Sequence, residues 1–308
     1  MAPTLTGARA NLWHHRHDMP SSLATAVLLD WFAASRRDLP WRRPGTGAWG
    51  VLVSEVMLQQ TPVQRVLPAY AAWMCRWPLP AALAGDPAGE AVRMWARLGY
   101  PRRALRLHTT AELIDEEHEG AVPSTYAALR RLPGVGDYTA AAVLAFAYRQ
   151  RTVVLDTNVR RVLTRVFGGR QFPSAAVSRP ERQLAEAVLP ADPETAATWN
   201  AAAMELGALV CTTRSPRCDQ CPLSRMCAWR LAGYPAYDGP PRRVQTYLGS
   251  DRQCRGRILS VLRDREEPVP AHDIELAWTD AVQREHALSS LLCDGLVVRV
   301  DEGALALP

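Results

Sequence analysis

The sequence is 308 residues long, with 48% hydrophobic and 22% charged residues, proportions typical of a globular protein that buries one or more sizeable cores. Its formal charge of +5 and isoelectric point of about 9.0 favour a polyanionic partner. No apolar run approaches the length of a membrane span and the N-terminus lacks the apolar segment of a signal peptide, so we expect a cytoplasmic protein with no membrane partner.

The first two thirds of the chain are predicted to be helical. Residues 1–20 show no helical period and are predicted to form a flexible tail. Beyond them, apolar residues recur with helical spacing, and strand signals are scarce before residue 230. The predicted helices are one that begins at residue 21 and those at 63–76, 88–98, 104–117, 124–132, 137–148, 159–167 and 194–210. We therefore predict an all-α fold for this part.

A short turn, PGVG, precedes the alanine-rich helix predicted at 137–148. Pro133 restricts one backbone angle, while Gly134 and Gly136 permit conformations that other residues avoid, so we predict a tight, preformed turn. Because glycine leaves the neighbouring N–H groups accessible, such a turn at a helix N-terminus can hold a phosphate. Ordinary helix–helix connections use the same residues, so the turn alone is weak support for phosphate binding.

Four of the seven cysteines lie close together, at Cys211, Cys218, Cys221 and Cys227, with the spacing C-x6-C-x2-C-x5-C. The odd total argues against a secreted disulfide framework. Four thiolates in one loop indicate either a tetrahedral zinc ion or a [4Fe–4S] cluster. Structural zinc sites usually pair their ligands in two short C-x2-4-C units, and only one such pair is present. The spacing therefore favours a [4Fe–4S] cluster.

The composition changes after residue 230. Residues 231–250 contain three prolines and three glycines and are predicted to be a linker. Residues 251–308 are predicted to form three short helices and a terminal hairpin that turns at Asp301, Glu302 and Gly303. These are the elements of a winged-helix domain, which binds DNA in some proteins and other proteins in others.

Several motifs together resemble one known family. A helix, a Gly-rich hairpin and a helix, followed by VVLDTNVRR and the cysteine spacing, resemble the helix-hairpin-helix DNA glycosylases that carry an iron–sulfur loop. Within them, LPWR (39–42), VSEVMLQQTPV (53–63), LGYPRRALRL (98–107) and MELGALVC (204–211) resemble the MutY adenine glycosylases. The resemblance covers residues 21 to about 230. It implies a two-lobed catalytic domain with a six-helix lobe at about 51–155, a cluster lobe at 21–50 and 156–230, and a cluster loop at 211–227.

The resemblance assigns the chemistry to two acids. Glu55 lies in an apolar run, where the charged form of a carboxyl group is disfavoured, and matches the acid that protonates the departing adenine. Asp156 precedes a predicted helix, which by itself indicates an N-cap, and matches the carboxylate that stabilises the cationic sugar. Asn158 matches a residue that helps hold water and sugar. Tyr138 stands where bifunctional relatives carry a nucleophilic lysine.

Other matching residues are expected to bind DNA. Gln59, Gln60, Thr61, Leu98 and Tyr100 match elements that wedge into the duplex and contact the base opposite adenine. Trp41 and Arg42 match the adenine pocket. Gly134 and Gly136 become a phosphate site in this context. The arginine pairs Arg102–Arg103 and Arg160–Arg161 are expected to contact phosphates.

The function that the resemblance implies is the removal of adenine opposite 8-oxoguanine or guanine from double-stranded DNA, by a monomeric, monofunctional enzyme associated with the nucleoid. The chain departs from the family in two respects. MutY proteins usually end in a large Nudix-like domain, and only about 70 residues follow the catalytic part here. Ala201 also stands where the family is expected to carry Gln or Glu near the adenine pocket. Two alternatives stay open. One is a thymine glycosylase for G·T mismatches, and the other is a non-catalytic iron–sulfur protein that senses DNA.

Overall fold

A computed structural model of the protein describes residues 21–239, 247–300 and 303–308. These residues are mostly helical and contain one short pair of strands, so the all-α prediction is confirmed for them. The predicted tail, part of the predicted linker (240–246) and two residues of the predicted hairpin turn, Asp301 and Glu302, lie outside the described residues. No helix in the described ranges is both long and apolar enough to cross a membrane.

The described residues contain fifteen α-helices and two strands. The helices are α1 (Ser21–Ser35), α2 (Ala48–Leu58), α3 (Val63–Arg76), α4 (Pro80–Ala84), α5 (Ala88–Met94), α6 (Arg102–Glu117), α7 (Tyr126–Arg131), α8 (Asp137–Phe146), α9 (Thr157–Val166), α10 (Arg179–Val188), α11 (Pro193–Leu209), α12 (Ala228–Leu231), α13 (Asp251–Arg263), α14 (Ala271–Glu275) and α15 (Ala281–Cys293). Short 3-10 turns lie at Pro40–Arg42, Cys218–Gln220 and Ser224–Met226. Strands β1 (Val298–Arg299) and β2 (Leu305–Ala306) pair antiparallel, with Val298 opposite Ala306.

The described residues divide into two compact units. The first contains residues 21–36, 155–190 and 198–237, and therefore carries α9, α10, α12 and the cysteine loop. The second contains residues 37–154, 191–197 and the described residues from 238 onward. Residues 37–50, which the sequence analysis assigns to the cluster lobe, lie in the second unit, where Trp41 and Trp49 join its hydrophobic core.

Two helices form the centre of the second unit. In α2, every residue from Trp49 to Met57 is buried, and in α8 every residue from Thr139 to Ala145 is buried. The two helices pack against each other, and the small alanine side chains of α8 permit a close approach. A helix that is apolar on all sides is a buried helix rather than an amphipathic one, which is why the sequence periodicity does not predict α2.

The C-terminal elements belong to this second unit. Helices α13 and α15 pack together, and Val269 bridges to Leu305 beside the β1–β2 pair. The buried side chains of Ile258 and Leu262 in α13 are part of the same hydrophobic cluster as the core around α2. The three helices and the strand pair expected for residues 251–308 are therefore present, and they pack on the remainder of the unit.

Candidate active site and cysteine loop

The buried acid of α2 receives a hydrogen bond from the hairpin helix α8. Glu55 is 3% exposed, and the hydroxyl of Tyr138 donates to its Oε2 at 2.8 Å. Tyr138 lies in the first turn of α8, so the packing of α8 on α2 brings the two side chains together. The Glu55 carboxyl group is therefore shielded from water, and the Tyr138 hydroxyl fixes its orientation.

The second acid caps a helix in the first unit. Asp156 is the N-cap of α9, and its Oδ1 accepts a hydrogen bond from the backbone N–H of Val159 at 2.6 Å. Its Oδ2 accepts from Nδ2 of Asn158 at 2.8 Å. Burial raises the pKa of the Asp156 carboxyl, although these two hydrogen bonds and the charge of Arg161 oppose the shift. The expectation that Asp156 caps a helix is confirmed.

Asn158 is fixed from two further directions. The Nη2 atom of Arg161 donates to its Oδ1 at 2.7 Å, while Nε of the same guanidinium donates to the carbonyl oxygen of Cys211 at 2.7 Å. Gly207 of α11 approaches so closely that a Cβ atom built there would lie 2.6 Å from the Cβ of Asn158. A glycine is therefore required at 207, and the start of α9 is held against α11.

The residues expected to read the opposite base lie on two loops of the second unit. We call residues 59–61 and 98–100 the reading loops. Gln60 and Tyr100 are exposed and have positive φ angles of 56° and 47°, an uncommon conformation for residues other than glycine. Thr61 and Leu98 are buried, and the Oγ1 of Thr61 lies 3.1 Å from the carbonyl oxygen of Leu98. The two loops are therefore neighbours.

Arg103 holds the reading loops together. Its side chain is buried, and Nη1 donates to the carbonyl oxygens of Met57 at 3.0 Å and Gln59 at 2.6 Å. Nη2 donates to the Oγ1 of Thr61 and to the carbonyl oxygen of Gly99, both at 2.9 Å. Burial lowers the pKa of the guanidinium to about 10. The expectation that Arg103 contacts a phosphate is wrong, because its donors already face carbonyl oxygens at the end of α2.

Three other arginines were expected to contact phosphates. Two of them, Arg160 and Arg161, are buried, and the third, Arg102, is exposed. Arg160 is buried and paired with Glu181, with an Nε–Oε1 distance of 2.5 Å, and Arg161 is buried against Asn158 and Cys211 as described. These two expectations are also wrong. Arg102 is exposed and lies 3.3 Å from a carboxylate oxygen of Asp294. An arginine pair has the same appearance in the sequence whether it faces solvent or backbone carbonyls.

The predicted Gly-rich turn has the expected local geometry. The N–H of Val135 donates to the carbonyl oxygen of Leu132 at 3.1 Å, so Pro133 and Gly134 occupy the centre of a β-turn. Gly134 has a φ of 80°, which Pro followed by Gly favours in a type II turn. Gly136 is the exposed N-cap of α8 and has open space where a Cβ atom would lie. The prediction of a tight, preformed turn is confirmed.

The residues expected in the adenine pocket lie at a 3-10 turn. Trp41 is buried and meets Tyr70 edge to face, with ring centroids 5.2 Å apart. Arg42 follows it at the end of the turn and is partly exposed. Trp41 therefore contributes to the hydrophobic core.

Gln59, in the first reading loop, contacts the hairpin helix. Its Nε2 atom lies 3.3 Å from Oγ1 of Thr139 in α8.

The four clustered cysteines line one pocket of the first unit, together with Trp229 and Leu206. Burial and the neighbouring thiols raise the pKa of Cys221 to about 12, and burial also raises the pKa of Cys227. The free thiols of Cys221 and Cys227 would thus stay protonated, whereas thiolates bonded to iron or zinc have their charge neutralised. The donor set fits a metal group, although no three His, Cys, Asp or Glu side chains among the described residues form a ready site for a single ion.

A buried arginine that the sequence analysis misses lies beside this pocket. Nη1 of Arg165 lies 3.4 Å from Sγ of Cys211, and it donates to the carbonyl oxygen of Thr212 at 2.7 Å. Its guanidinium also stacks 4.7 Å from the Trp229 ring. A positive charge at this position stabilises a thiolate ligand and the first residues of the loop. No signal in the sequence distinguishes Arg165 from the other arginines of α9.

Comparison with known proteins gives consistent results. The family model described as "HhH-GPD superfamily base excision DNA repair protein" matches residues 53–188. The adenine DNA glycosylase of Mycobacterium tuberculosis strain H37Rv is 52% identical over 290 residues, which cover 94% of this chain and 95% of that protein. The adenine DNA glycosylase of Mycolicibacterium smegmatis is 52% identical over 93% of this chain and 96% of its own. The human adenine DNA glycosylase is 44% identical, covering 66% of this chain and 38% of that protein.

Solved structures agree on the fold. A thermostable thymine-DNA glycosylase superposes with a TM-score of 0.62 at 26% identity, covering 69% of this chain and 97% of that one. An endonuclease III–DNA complex superposes with a TM-score of 0.58 at 21% identity, covering 69% and 95%. The mycobacterial proteins match 94% and 93% of this chain, so their matches include most of residues 231–308. The two solved structures each match only 69% of it.

The raised pKa of Asp156 predicts a pH-dependent effect of Asp156→Asn. Between the ordinary carboxyl pKa of 3.8 and the raised value, the unfolded chain has released this proton and the folded protein has not. The free energy of unfolding therefore falls as the pH rises through that window. Asparagine does not ionise, so the variant lacks this loss of stability. We therefore expect the free energy of unfolding of Asp156→Asn, relative to that of wild type, to be higher at pH 7 than at pH 4, as measured by urea denaturation.

Asp192→Asn is the matched control. Asp192 is an exposed acid at the start of α11, and its hydrogen bonds from Thr195 lower its pKa. Its contribution to stability is gained as the pH rises, so this substitution should be less favourable at pH 7 than at pH 4. Parallel pH dependence of wild type and Asp156→Asn would contradict the assignment of a raised pKa to Asp156.

Proposed function

The chain belongs to the HhH-GPD superfamily of base excision DNA repair proteins and, within it, to the adenine DNA glycosylases, and we propose that it removes adenine from double-stranded DNA by hydrolysing the N-glycosidic bond. The observation that carries the proposal is the buried Glu55 with its hydrogen bond from Tyr138. Departure of a purine needs a proton donor, and this pair supplies one in an environment closed to water.

Glu55 is the general acid of the proposed mechanism. The adenine must first leave the base stack, because a buried acid and carboxylate cannot reach its glycosidic bond inside the duplex. Glu55 then donates its proton to a ring nitrogen, which converts the base into a neutral leaving group. The Tyr138 hydroxyl, 2.8 Å from Oε2, fixes the orientation of the carboxyl group and stabilises the carboxylate after transfer.

Asp156 is the electrostatic partner of the sugar. As the base departs, positive charge develops on the deoxyribose, and a carboxylate with few surrounding waters attracts that charge strongly. The burial that raises the pKa of Asp156 disfavours its negative charge in the resting protein. That penalty is relieved when the cationic sugar forms, so the interaction is stronger in the transition state than in the ground state. Asn158, hydrogen-bonded to Asp156, orients the carboxylate, and we propose that it also helps to hold the attacking water.

The reading loops are proposed to select the base opposite the adenine, which we take to be 8-oxoguanine or guanine. Gln60 and Tyr100 are exposed on these loops, one with an amide for base edges and the other with a ring for stacking. The turn at Gly134 and Gly136 is proposed to hold a phosphate of the same duplex. Binding as a monomer is part of the proposal.

The alternatives receive less support. The likeness to a thymine-DNA glycosylase is at 26% identity, whereas the proteins matched at 52% identity along nearly their whole length are adenine DNA glycosylases. Those relatives also match much of residues 231–308, so this chain shares its C-terminal part with them. A non-catalytic sensor would have no use for both a buried Glu55 and a partly buried Asp156.

We assign Cys211, Cys218, Cys221 and Cys227 to a [4Fe–4S] cluster. Such a cluster would hold the loop 211–227 in one conformation and present its arginines to the DNA backbone. Arg161 and Arg165, which donate to Cys211, would tie the cluster loop to α9 and so to Asp156.

Replacement of the acid should abolish excision without loss of DNA binding. We expect Glu55→Gln to reduce the single-turnover rate of adenine release by about 100- to 10,000-fold, the contribution of a positioned general acid. Tyr138→Phe keeps the acid and should have a smaller effect, and Glu116→Gln, on the exposed part of α6, should have none. A rate for Glu55→Gln within a few fold of wild type would rule out this assignment.

Metal analysis tests the cluster. Protein purified without oxygen should be brown and contain about four irons per chain, as expected for one [4Fe–4S] cluster. Cys218→Ala should lose most of that iron, whereas Cys254→Ala, a buried cysteine of α13, should keep it. One zinc per chain with no iron would contradict the assignment.

The sequence contains no lysine, which predicts a monofunctional enzyme. Strand cleavage by β-elimination requires an amine that forms an imine with the opened sugar, and no side chain here carries one. Borohydride should therefore trap little protein on DNA during turnover, and strand breaks should require added base or heat. Efficient trapping that persists after the N-terminal amine is acetylated would contradict this prediction.

A further inference from the structure

Helix α13, the first helix of the C-terminal region, is fixed beside α5, the helix that precedes the reading loop at residues 98–100. Nη1 of Arg93, in α5, donates to the carbonyl oxygens of Arg263 at 2.5 Å and Arg265 at 2.7 Å. In return, Nε of Arg263 donates to the carbonyl oxygen of Val92 at 3.0 Å. Each arginine thus satisfies carbonyl oxygens at the end of the other's helix, and α13 is held at a defined position beside α5.

The other end of α13 reaches Tyr100. Nη1 of Arg252, in the first turn of α13, lies 3.1 Å from the hydroxyl oxygen of Tyr100, to which it donates. The guanidinium carbon lies 5.9 Å from the centre of the Tyr100 ring and 5.4 Å from that of Tyr247. The C-terminal region therefore adds a cation and a second aromatic ring to the side chain that is expected to wedge into DNA.

This group is accessible and has no acidic partner. Tyr100 is 42% exposed, Tyr247 is 48% exposed and the adjacent Leu248 is 76% exposed. Arg252 forms no ion pair within the described part of the chain, whereas Arg255, one turn further along α13, is 2.6 Å from Asp294. An unneutralised guanidinium between two exposed rings offers donors to phosphate or base edges and flat surfaces for stacking.

We propose that Arg252 and Tyr247 extend the reading loops and contact the DNA strand opposite the excised adenine, next to the opposite base. The inference rests on the proposed function, which supplies the duplex and the position of Tyr100 within it. Arg252 is charge-complementary to that strand, and its bond to Tyr100 places it within one or two nucleotides of the base that Tyr100 contacts.

The absence of lysine gives this proposal a direct test. Arg252→Lys introduces the only side-chain amine of the protein, and it is placed in the Glu55→Gln background so that the adenine remains in the duplex. The probe is an 8-oxoguanine·A duplex with one abasic sugar in the 8-oxoguanine strand, adjacent to the 8-oxoguanine. The amine and the ring-opened aldehyde condense to an imine with loss of water, and borohydride supplies the hydride that fixes the adduct as a secondary amine.

We expect at least ten-fold more adduct from Arg252→Lys than from the controls. The matched control is Arg257→Lys, on the same helix and also exposed but roughly 140° around its axis; the protein without an added lysine measures trapping by the N-terminal amine. Moving the abasic sugar one helical turn away should abolish the difference. Trapping no greater than that of Arg257→Lys, or trapping only when the abasic sugar is in the adenine strand, would overturn the proposal.

A binding measurement separates this proposal from the proposed function. Arg252→Gln should keep the thermal stability of wild type, weaken binding of the 8-oxoguanine·A duplex by about ten-fold and lower the salt slope of binding by about one, since one guanidinium–phosphate contact releases about one counterion. Arg257→Gln should change neither. An unchanged affinity and slope for Arg252→Gln would overturn the inference even if adenine is released, and failure of adenine release with these changes present would contradict only the proposed function.

Discussion

The shielding of two carboxyl groups from water, Glu55 almost fully and Asp156 partly, is the constraint on which the rest of this structure depends. An ionised carboxyl group without partners is strongly disfavoured in an apolar interior. Glu55 lies in the buried stretch of α2 from Trp49 to Met57, and the first turn of α8 supplies the Tyr138 hydroxyl to it. Asp156 is held by the first turn of α9. In each unit, a helix N-terminus packs where it does because an acid needs donors there.

Arginine side chains hold several loops and helix ends together. Arg103 bonds to both reading loops, Arg161 and Arg165 bond to the start of the cysteine loop, and Arg93 bonds to the end of α13. All of them donate largely to backbone carbonyl oxygens, which a planar group with five N–H donors can reach several at a time. In a chain without lysine, several arginines thus hold loops together inside the protein.

The sequence predicts much of this arrangement, and its failures have physical reasons. The limits of α3 agree at both ends, because its apolar stripe is regular and its start follows a proline. The cap at Asp156 and the turn at Gly134 follow from local chemistry, which the chain carries within a few residues. The positions of Arg103 and Arg160, which were misassigned, depend instead on carbonyl and carboxylate groups that lie far away in the sequence. The contact of Arg252 with Tyr100 also joins residues that are distant in the sequence. The family motifs cover the catalytic part, so they carry no information on α13.

The central claim is that adenine is the base removed and that the opposite base directs its removal. The most direct measurement is a single-turnover comparison of base release from 8-oxoguanine·A, G·A, G·T and A·T duplexes. We predict release of adenine from 8-oxoguanine·A and from G·A, faster with 8-oxoguanine by a margin of about 1–3 kcal/mol, which is the worth of one base-specific contact. Little or no release is expected from A·T. Release of thymine from G·T, with adenine retained in both mismatches, would contradict the account.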